Sequence, residues 1–253
     1  MKIILIVGAL IGFVALHLIK LMRLYLVFME QDIPFLKFVP AYLRTTLVNL
    51  IIPFKLGEIY RIGVFSRITG KFKIGFFGVL TDRFFDTLAL LGILLFCRFF
   101  VSGKVTMTVI LLTGFLLIVM LAYILYPSAY RYLNRYIIVK RTSKRSMWAL
   151  KTLEGIHEWY LYVRELVRGR YGLLIVFSLA AWILEFLVLA GVSRIMGESF
   201  DMSSFSGYIS SILGQGADKL NRIYSIGSVA IMFVATVISL GYYLVRRKRS
   251  TAS

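Results

Sequence analysis

Three groups of charged residues stand inside otherwise apolar sequence. The stretch NLIIPFKLGEIYRIG, residues 49–63, holds Lys55, Glu58 and Arg61 beside a proline and two glycines. Further on, GVLTDRFFDTLALLG holds Asp82, Arg83 and Asp86, and AAWILEFLVLAG holds Glu185 alone. A charge at membrane depth costs roughly 3 kcal/mol unless it is paired or wetted, so each group needs either partners or a purpose.

The first group suggests both. Pro53 removes a backbone donor and Gly57 carries no Cβ, so PFKLGE is expected to separate two short helices, the second running from about Leu56 to Arg67. The N-terminus of that second helix offers unpaired N–H groups and a positive dipole end. With Lys55 and Arg61 beside it, the place suits an anion, and a phosphate is the natural candidate.

In the second group Asp82 and Asp86 are four residues apart and Arg83 is three before Asp86. On a helix the three are neighbours. Glu58, Arg61, Arg83 and the two aspartates are therefore expected to form one network between the broken segment and the following helix. The same network also fits a structural lock that fastens one element to the other. Glu185 is open to three readings: protonated, paired across helices, or lining a wet cavity. His17 and Arg98 lie nearer the ends of apolar runs, where snorkelling accounts for them.

The elements that must position these residues are membrane helices. Of 253 residues, 59% are hydrophobic, and mean hydropathy is +0.83, against roughly 45–50% apolar residues in soluble domains. The formal charge of +18 would point to nucleic acid in a soluble chain. In a chain of apolar runs about 20 residues long it points instead to anionic membrane lipids, and no nucleic-acid partner is expected. Cys97 is the lone cysteine, and His17 and His157 are far apart without an HExxH-type context. No disulfide framework, metal site or cofactor is expected.

Long apolar stretches run at about Ile3 to Ile19, Gly75 to Phe100, Val105 to Leu125, Tyr171 to Met196 and Ser225 to Leu244. The expected fold is thus an all-α polytopic membrane protein, a single integral membrane domain over 1–253 with about five transmembrane helices. The first is read as a retained helix, because no small-x-small cleavage site follows it. Residues 35–67 and 203–224 are broken or short and read as re-entrant hairpins, since irregular backbone at membrane depth needs protein or a wet cavity around it. With the N-terminus outside and the C-terminus inside, most of the 30 Lys and Arg fall in cytoplasmic stretches. Residues 127–170 are basic, and Trp148, Leu150, Leu153, Ile156, Tyr160 and Leu161 recur at helical spacing. That pattern fits an amphipathic cytoplasmic segment on lipid headgroups, or a solvated basic connector.

The run NLIIPFKLGEIYRIGVFSRITG…GVLTDRFFDTLALL resembles the signature of the lysylphosphatidylglycerol synthase transmembrane region family, the flippase-like membrane domain of the multiple peptide resistance factor and its stand-alone relatives. Asn49, Pro53, Gly57, Glu58 and Arg61 match the first part of that signature. Asp82, Arg83 and Asp86 match the second, with aspartate in place of the more usual glutamate. Trp182 and Glu185 in WILEFLVLAGVSRIMG resemble a later helix of the family. The resemblance implies re-entrant hairpins in two related halves and a role in carrying a phospholipid headgroup conjugate across the bilayer, while a separate soluble domain makes the conjugate. No aminoacyl transfer is expected of this chain. Relatives usually carry a proline, a glycine-rich stretch and a glutamate in the second half. Here the sequence is SSFSGYISSILGQGADKLNRIYSIG, which keeps Gly214 and Gly216 but lacks the proline and the glutamate.

The leading expectation is a translocase of an anionic phospholipid or a polyprenyl-phosphate-linked sugar across the cytoplasmic membrane, with Asn49, Lys55, Gly57, Glu58, Arg61, Asp82, Arg83, Asp86 and Glu185 at its substrate path. The alternative is a non-transporting accessory subunit that holds a glycosyltransferase or other envelope-biosynthesis enzyme at the membrane. A membrane-embedded transferase with Asp82 or Glu58 as base is weaker, because no activated nucleophile, metal cluster or nucleotide motif accompanies them.

Overall fold

The computed structural model describes residues 2–52, 56–101, 107–140, 144–201, 204–205, 207–209 and 219–251. Among them regular structure is helical throughout. The long elements are α1 (Lys2–Phe28), α2 (Phe35–Ile51), α3 (Leu56–Thr69), α4 (Phe72–Val101), α5 (Met107–Lys140), α6 (Lys144–Val167), α7 (Tyr171–Met196) and α8 (Lys219–Thr251). Lys55, Pro53 and Gly214–Gly216 lie outside the described residues, as does half of the second hairpin expected at 203–224.

Four helices are long and apolar enough to cross a membrane among the described residues: Ile3–Gln31, Ile110–Val139, Tyr171–Met196 and Lys219–Tyr242. The protein is a multi-pass membrane protein. At 30 residues, about 45 Å of helix, α4 also has the length to cross, but Asp82, Arg83 and Asp86 interrupt its apolar stretch. The chain packs as two compact units, Met1–Gly103 with Leu173–Ser253, and Lys104–Gly172.

In the first unit α1 runs past the apolar Ile3–Ile19 stretch and takes Lys20 and Arg23 into the helix. It ends in a short 3-10 turn, Met29–Gln31, closed by Asp32 at φ 49°. Pro34 then starts α2, its carbonyl accepting from the N–H groups of Lys37 at 2.8 Å and Phe38 at 3.1 Å. α2 closes at Ile51 with Ile52 extended, and α3 begins at the predicted Leu56; residues 53–55 of the expected break lie outside the described residues.

Three rings knit these helices. Phe28 of α1, Phe38 of α2 and Phe65 of α3 are all buried. Phe65 stacks on Phe28 with ring centroids 4.8 Å apart and meets Phe38 at 5.2 Å, arrangements favoured by the ring quadrupoles. Close approach of α4 depends on two glycines. A Cβ on Gly78 would come within 2.3 Å of Phe28 Cζ, and one on Gly75 within 2.5 Å of the Ser66 backbone nitrogen. Small residues at such crossings let helices meet in a bilayer, where lipid tails remove the hydrophobic drive for association. α2 also packs on α8.

In the second unit α5 and α6 are joined by aromatic side chains. His157 lies flat on Tyr130, centroids 3.8 Å apart and planes 7° apart, and Tyr160 packs against Tyr126 at 4.8 Å and Tyr123 at 5.1 Å. The predicted amphipathic segment thus divides between the end of α5 and α6. On α6, Met147, Trp148, Ile156 and Trp159 are exposed.

Candidate functional site

The charged residues singled out in the sequence converge within the first unit, around a cation from α1. Arg23 is buried. Its Nε donates to Asp82 Oδ1 at 2.7 Å, Nη1 to Asp86 Oδ1 at 2.5 Å and to Ser178 Oγ at 3.1 Å, and Nη2 to Asp82 Oδ2 at 3.3 Å. The four-residue spacing of Asp82 and Asp86 puts both carboxylates on one side of α4, where the planar guanidinium fork can reach them together. Trp182 closes the same place from α7, its indole N–H donating to the Asp86 carbonyl oxygen at 3.0 Å.

A second layer couples α3 to α4. Arg83 Nε lies 3.0 Å from Glu58 Oε1, and its Nη1 lies 3.5 Å from Asp86 Oδ2. Glu58 also accepts from Asn49 Nδ2 at 2.9 Å. Arg61 is buried, lies 3.6 Å from Glu58 Oε2, and donates from Nη2 to Thr46 Oγ1 at 3.0 Å. Glu58 falls in the first turn of α3, where a carboxylate complements the helix dipole. The helix end read as an anion site therefore already carries an anion of its own.

Gly57 explains why α2 and α3 can meet there. A Cβ at this position would fall 2.4 Å from Asn49 Cα and 2.6 Å from Asn49 Oδ1. Only a glycine lets the backbone of α3 pass against Asn49 and hold that amide opposite Glu58.

Glu185 belongs to a neighbouring part of the network. It is buried and pairs with Lys20 Nζ at 2.7 Å, and it accepts from the Tyr208 hydroxyl at 2.5 Å. Of the three readings open for Glu185, pairing across helices describes its surroundings. Lys20 also lies over the Trp182 ring, 5.9 Å from its centroid. His17 does not snorkel: its ring meets Phe13 at 4.5 Å, and its Nδ1 lies 3.4 Å from the Tyr42 hydroxyl.

The structure thus brings together Asn49, Gly57, Glu58, Arg61, Asp82, Arg83 and Asp86. It reaches Glu185 through Lys20 and the Trp182 face of α7, and Lys55 lies outside the described residues. Sequence reasoning passed over Lys20, Arg23, Thr46, Ser178 and Tyr208. His17, Lys20 and Arg23 recur every three residues in a run that stays apolar to Phe28, which is the signal of one polar face on a buried helix.

Four cations, Lys20, Arg23, Arg61 and Arg83, meet four carboxylates, Glu58, Asp82, Asp86 and Glu185. Charge balance is what permits such density at low dielectric. Exposure is uneven: the side chain of Arg23 is 2% exposed, that of Arg83 36% and that of Lys20 25%. Arg83 is therefore the guanidinium best able to exchange a carboxylate for a ligand phosphate. Among the described residues no cluster of His, Cys, Asp and Glu could hold a metal ion.

The family model described as Lysylphosphatidylglycerol synthase TM region matches residues 2–217. No curated protein matches the chain, and no solved structure does.

Proposed function

The chain belongs to the Lysylphosphatidylglycerol synthase TM region family, and from that premise we propose that it is a flippase-like translocase rather than an enzyme. Its cargo is an anionic lipid or a lipid-linked sugar, carried across the cytoplasmic membrane, with the N-terminus outside and the C-terminus inside. The observation that carries the reading is the charge-balanced network beside the α2–α3 break, with the Arg83 side chain 36% exposed and Glu58 17% exposed at its edge.

The headgroup phosphate takes the place of Glu58 on the Arg83 fork, and Lys55 adds to the attraction. Glu58 keeps Asn49 and Arg61 as partners while Arg83 is engaged, so neither charge is left bare during exchange. Because carboxylates compete for the same cations, the phosphate is bound weakly enough to leave. The hairpin 35–67 enters and leaves on the cytoplasmic side, as broken helices do around midplane sites in transporters.

Reconstitution into liposomes tests this. Fluorescent phospholipids or a labelled polyprenyl-phosphate sugar would be followed as the outer-leaflet reporter becomes protected or exposed. Protein-dependent movement lost in Arg83→Gln and Glu58→Gln, measured on variants that still purify folded and unfold cooperatively, is the expected result. Flat traces across the lipid panel would sink the proposal.

A second reading rests on the exposed Trp148 and Trp159 of α6: a non-transporting accessory subunit that holds an envelope-biosynthesis enzyme. Copurification of one such enzyme, lost on replacing both tryptophans, together with flat transport traces, favours it.

A further inference from the structure

Beyond the charged network the first unit holds an apolar crevice of about 220 Å³, whose walls include Leu10 and Phe13 of α1, Val188 and Val192 of α7, and Tyr224 and Ser228 of α8. All three helices are among the four able to span a membrane. The pairs Lys20–Glu185 and Arg23–Ser178 fix α1 and α7 as antiparallel neighbours, with residue numbers rising on one as they fall on the other. Walking from the network along both helices leads from Lys20 to Phe13 and from Glu185 to Val188. At about 1.5 Å per residue the crevice begins roughly 10 Å from the Lys20 position, inside the ~15 Å of one leaflet's hydrocarbon.

A small slide of α1 on α7 does not close this gap. The two helices already touch beside it, because a Cβ on Gly12 would fall 2.8 Å from Val188 Cγ2. In a bilayer an unfilled gap forfeits dispersion contacts on every wall. Its volume is below the ~300 Å³ at which pockets begin to enclose whole small-molecule ligands, so it suits a segment of hydrocarbon chain.

Two hydroxyl-bearing side chains, Tyr224 and Ser228, interrupt the apolar wall. Ser228 is 3% exposed, and its Oγ has no hydrogen-bond partner among the described residues. A buried hydroxyl left without a partner is costly. An acyl chain attached through an ester brings a carbonyl acceptor to that level, and an ether-linked or polyprenyl chain does not.

We propose that the crevice between α1, α7 and α8 is a binding site for the ester-linked acyl chain of a membrane lipid, with the Ser228 hydroxyl donating to the ester carbonyl. The inference deepens the lipid-handling reading, on which it rests for the placing of the headgroup near Lys20 and Arg83.

The full chain in nanodiscs would be labelled with a diacyl phosphatidylglycerol bearing a diazirine in one acyl chain, and the crosslinked residues mapped by mass spectrometry. Label is expected on the crevice walls in excess over Phe233 and Val237, which are exposed on α8. Gly227→Leu places a side chain where a Cβ meets nothing within 4 Å, at the crevice wall, and should remove the label at an unchanged melting temperature. Diacyl competitor should displace the probe roughly threefold to tenfold better than its dialkyl ether analogue, the range of one neutral hydrogen bond. Ser228→Ala should erase that preference.

Label spread evenly over α8, label that survives Gly227→Leu in folded protein, or equal competition by ester and ether lipids in the wild type would each overturn the proposal. Binding is read without transport. Crevice label with no lipid movement supports the chain site and sinks the translocase, whereas movement without crevice label overturns the chain site alone.

Discussion

The α2–α3 pair and the α5–α6 pair are both helical hairpins with short connections, yet they are held by different chemistry. α2 and α3 meet backbone to backbone at Gly57 and Asn49 and are fixed by directed polar contacts, Asn49 to Glu58 and Arg61 to Thr46. α5 and α6 meet through ring contacts, Tyr130 stacked on His157 and Tyr126 tilted against Tyr160. Polar contacts at a glycine crossing admit one geometry, because moving either helix strands a buried charge. Stacked rings tolerate offsets at little cost. The first hairpin is held in one geometry, and the second presents exposed large residues on α6.

The largest effect expected from breaking this contrast lies at Arg23, which serves the first hairpin's partner helix. Arg23→Met leaves Asp82 and Asp86 without their shared cation, a loss of about 3–5 kcal/mol for an interrupted buried pair. Thermal unfolding in detergent should show it as failure to purify or a large fall in melting temperature. The triple change Arg23→Met, Asp82→Asn, Asp86→Asn should recover much of the loss, because it strands no charge. A triple variant as unstable as the single one would mean that Arg23 acts through packing.

Next comes Gly57→Ala. The added methyl group meets Asn49 Cα at 2.4 Å, so the hairpin must open, at about 1–3 kcal/mol for overpacking of this kind. Gly63→Ala on the same helix has open space around its Cβ and controls for helix propensity. If both variants melt alike, the α2–α3 contact does not carry the hairpin.

How much of this was legible depends on what each residue contrasts with. Glu58, Asp82 and Glu185 stood out because their neighbours are apolar, and the end of α2 was legible because a proline disfavours helix at the residue before it, Ile52, which is extended. Arg23 was hidden for the opposite reason. A cation just past an apolar run reads as the flank that stops transfer, and only the continuation of α1 to Phe28 turns it inward. Trp182 was legible as an aromatic residue near Glu185, but its bond to the Asp86 carbonyl joins positions 96 residues apart, and no local pattern encodes that. The interruption of α4 by three charges was visible, and the cost it implies is met by Arg23, whose role the sequence did not reveal.

In the second hairpin, Tyr130→Ala removes the ring beneath His157. Loss of one stacked pair is worth about 0.5–1.5 kcal/mol beyond buried area, so the melting temperature should fall less than in Gly57→Ala. If the first unit's network carries lipid as proposed, movement should persist at the wild-type rate once the protein is folded. A rate that collapsed with this modest destabilisation would mean that the two hairpins are not separable in function.

The smallest effect on stability is expected at Trp148, and it sharpens the comparison most. The residue is 71% exposed, so Trp148→Ala should change stability by no more than about 0.5 kcal/mol, as for surface positions away from special contacts. Lys151 follows it by three residues on α6, and an indole on a basic helix suits the headgroup layer of an anionic membrane. With Trp159 and Trp182 replaced by Phe, Trp148 is the sole indole. Its fluorescence should shift to the blue and be quenched by brominated lipid when the nanodisc contains phosphatidylglycerol, and less so in phosphatidylcholine alone. An emission that stays red and open to acrylamide in both would leave α6 facing water, and its exposed rings would then need a protein partner to account for them.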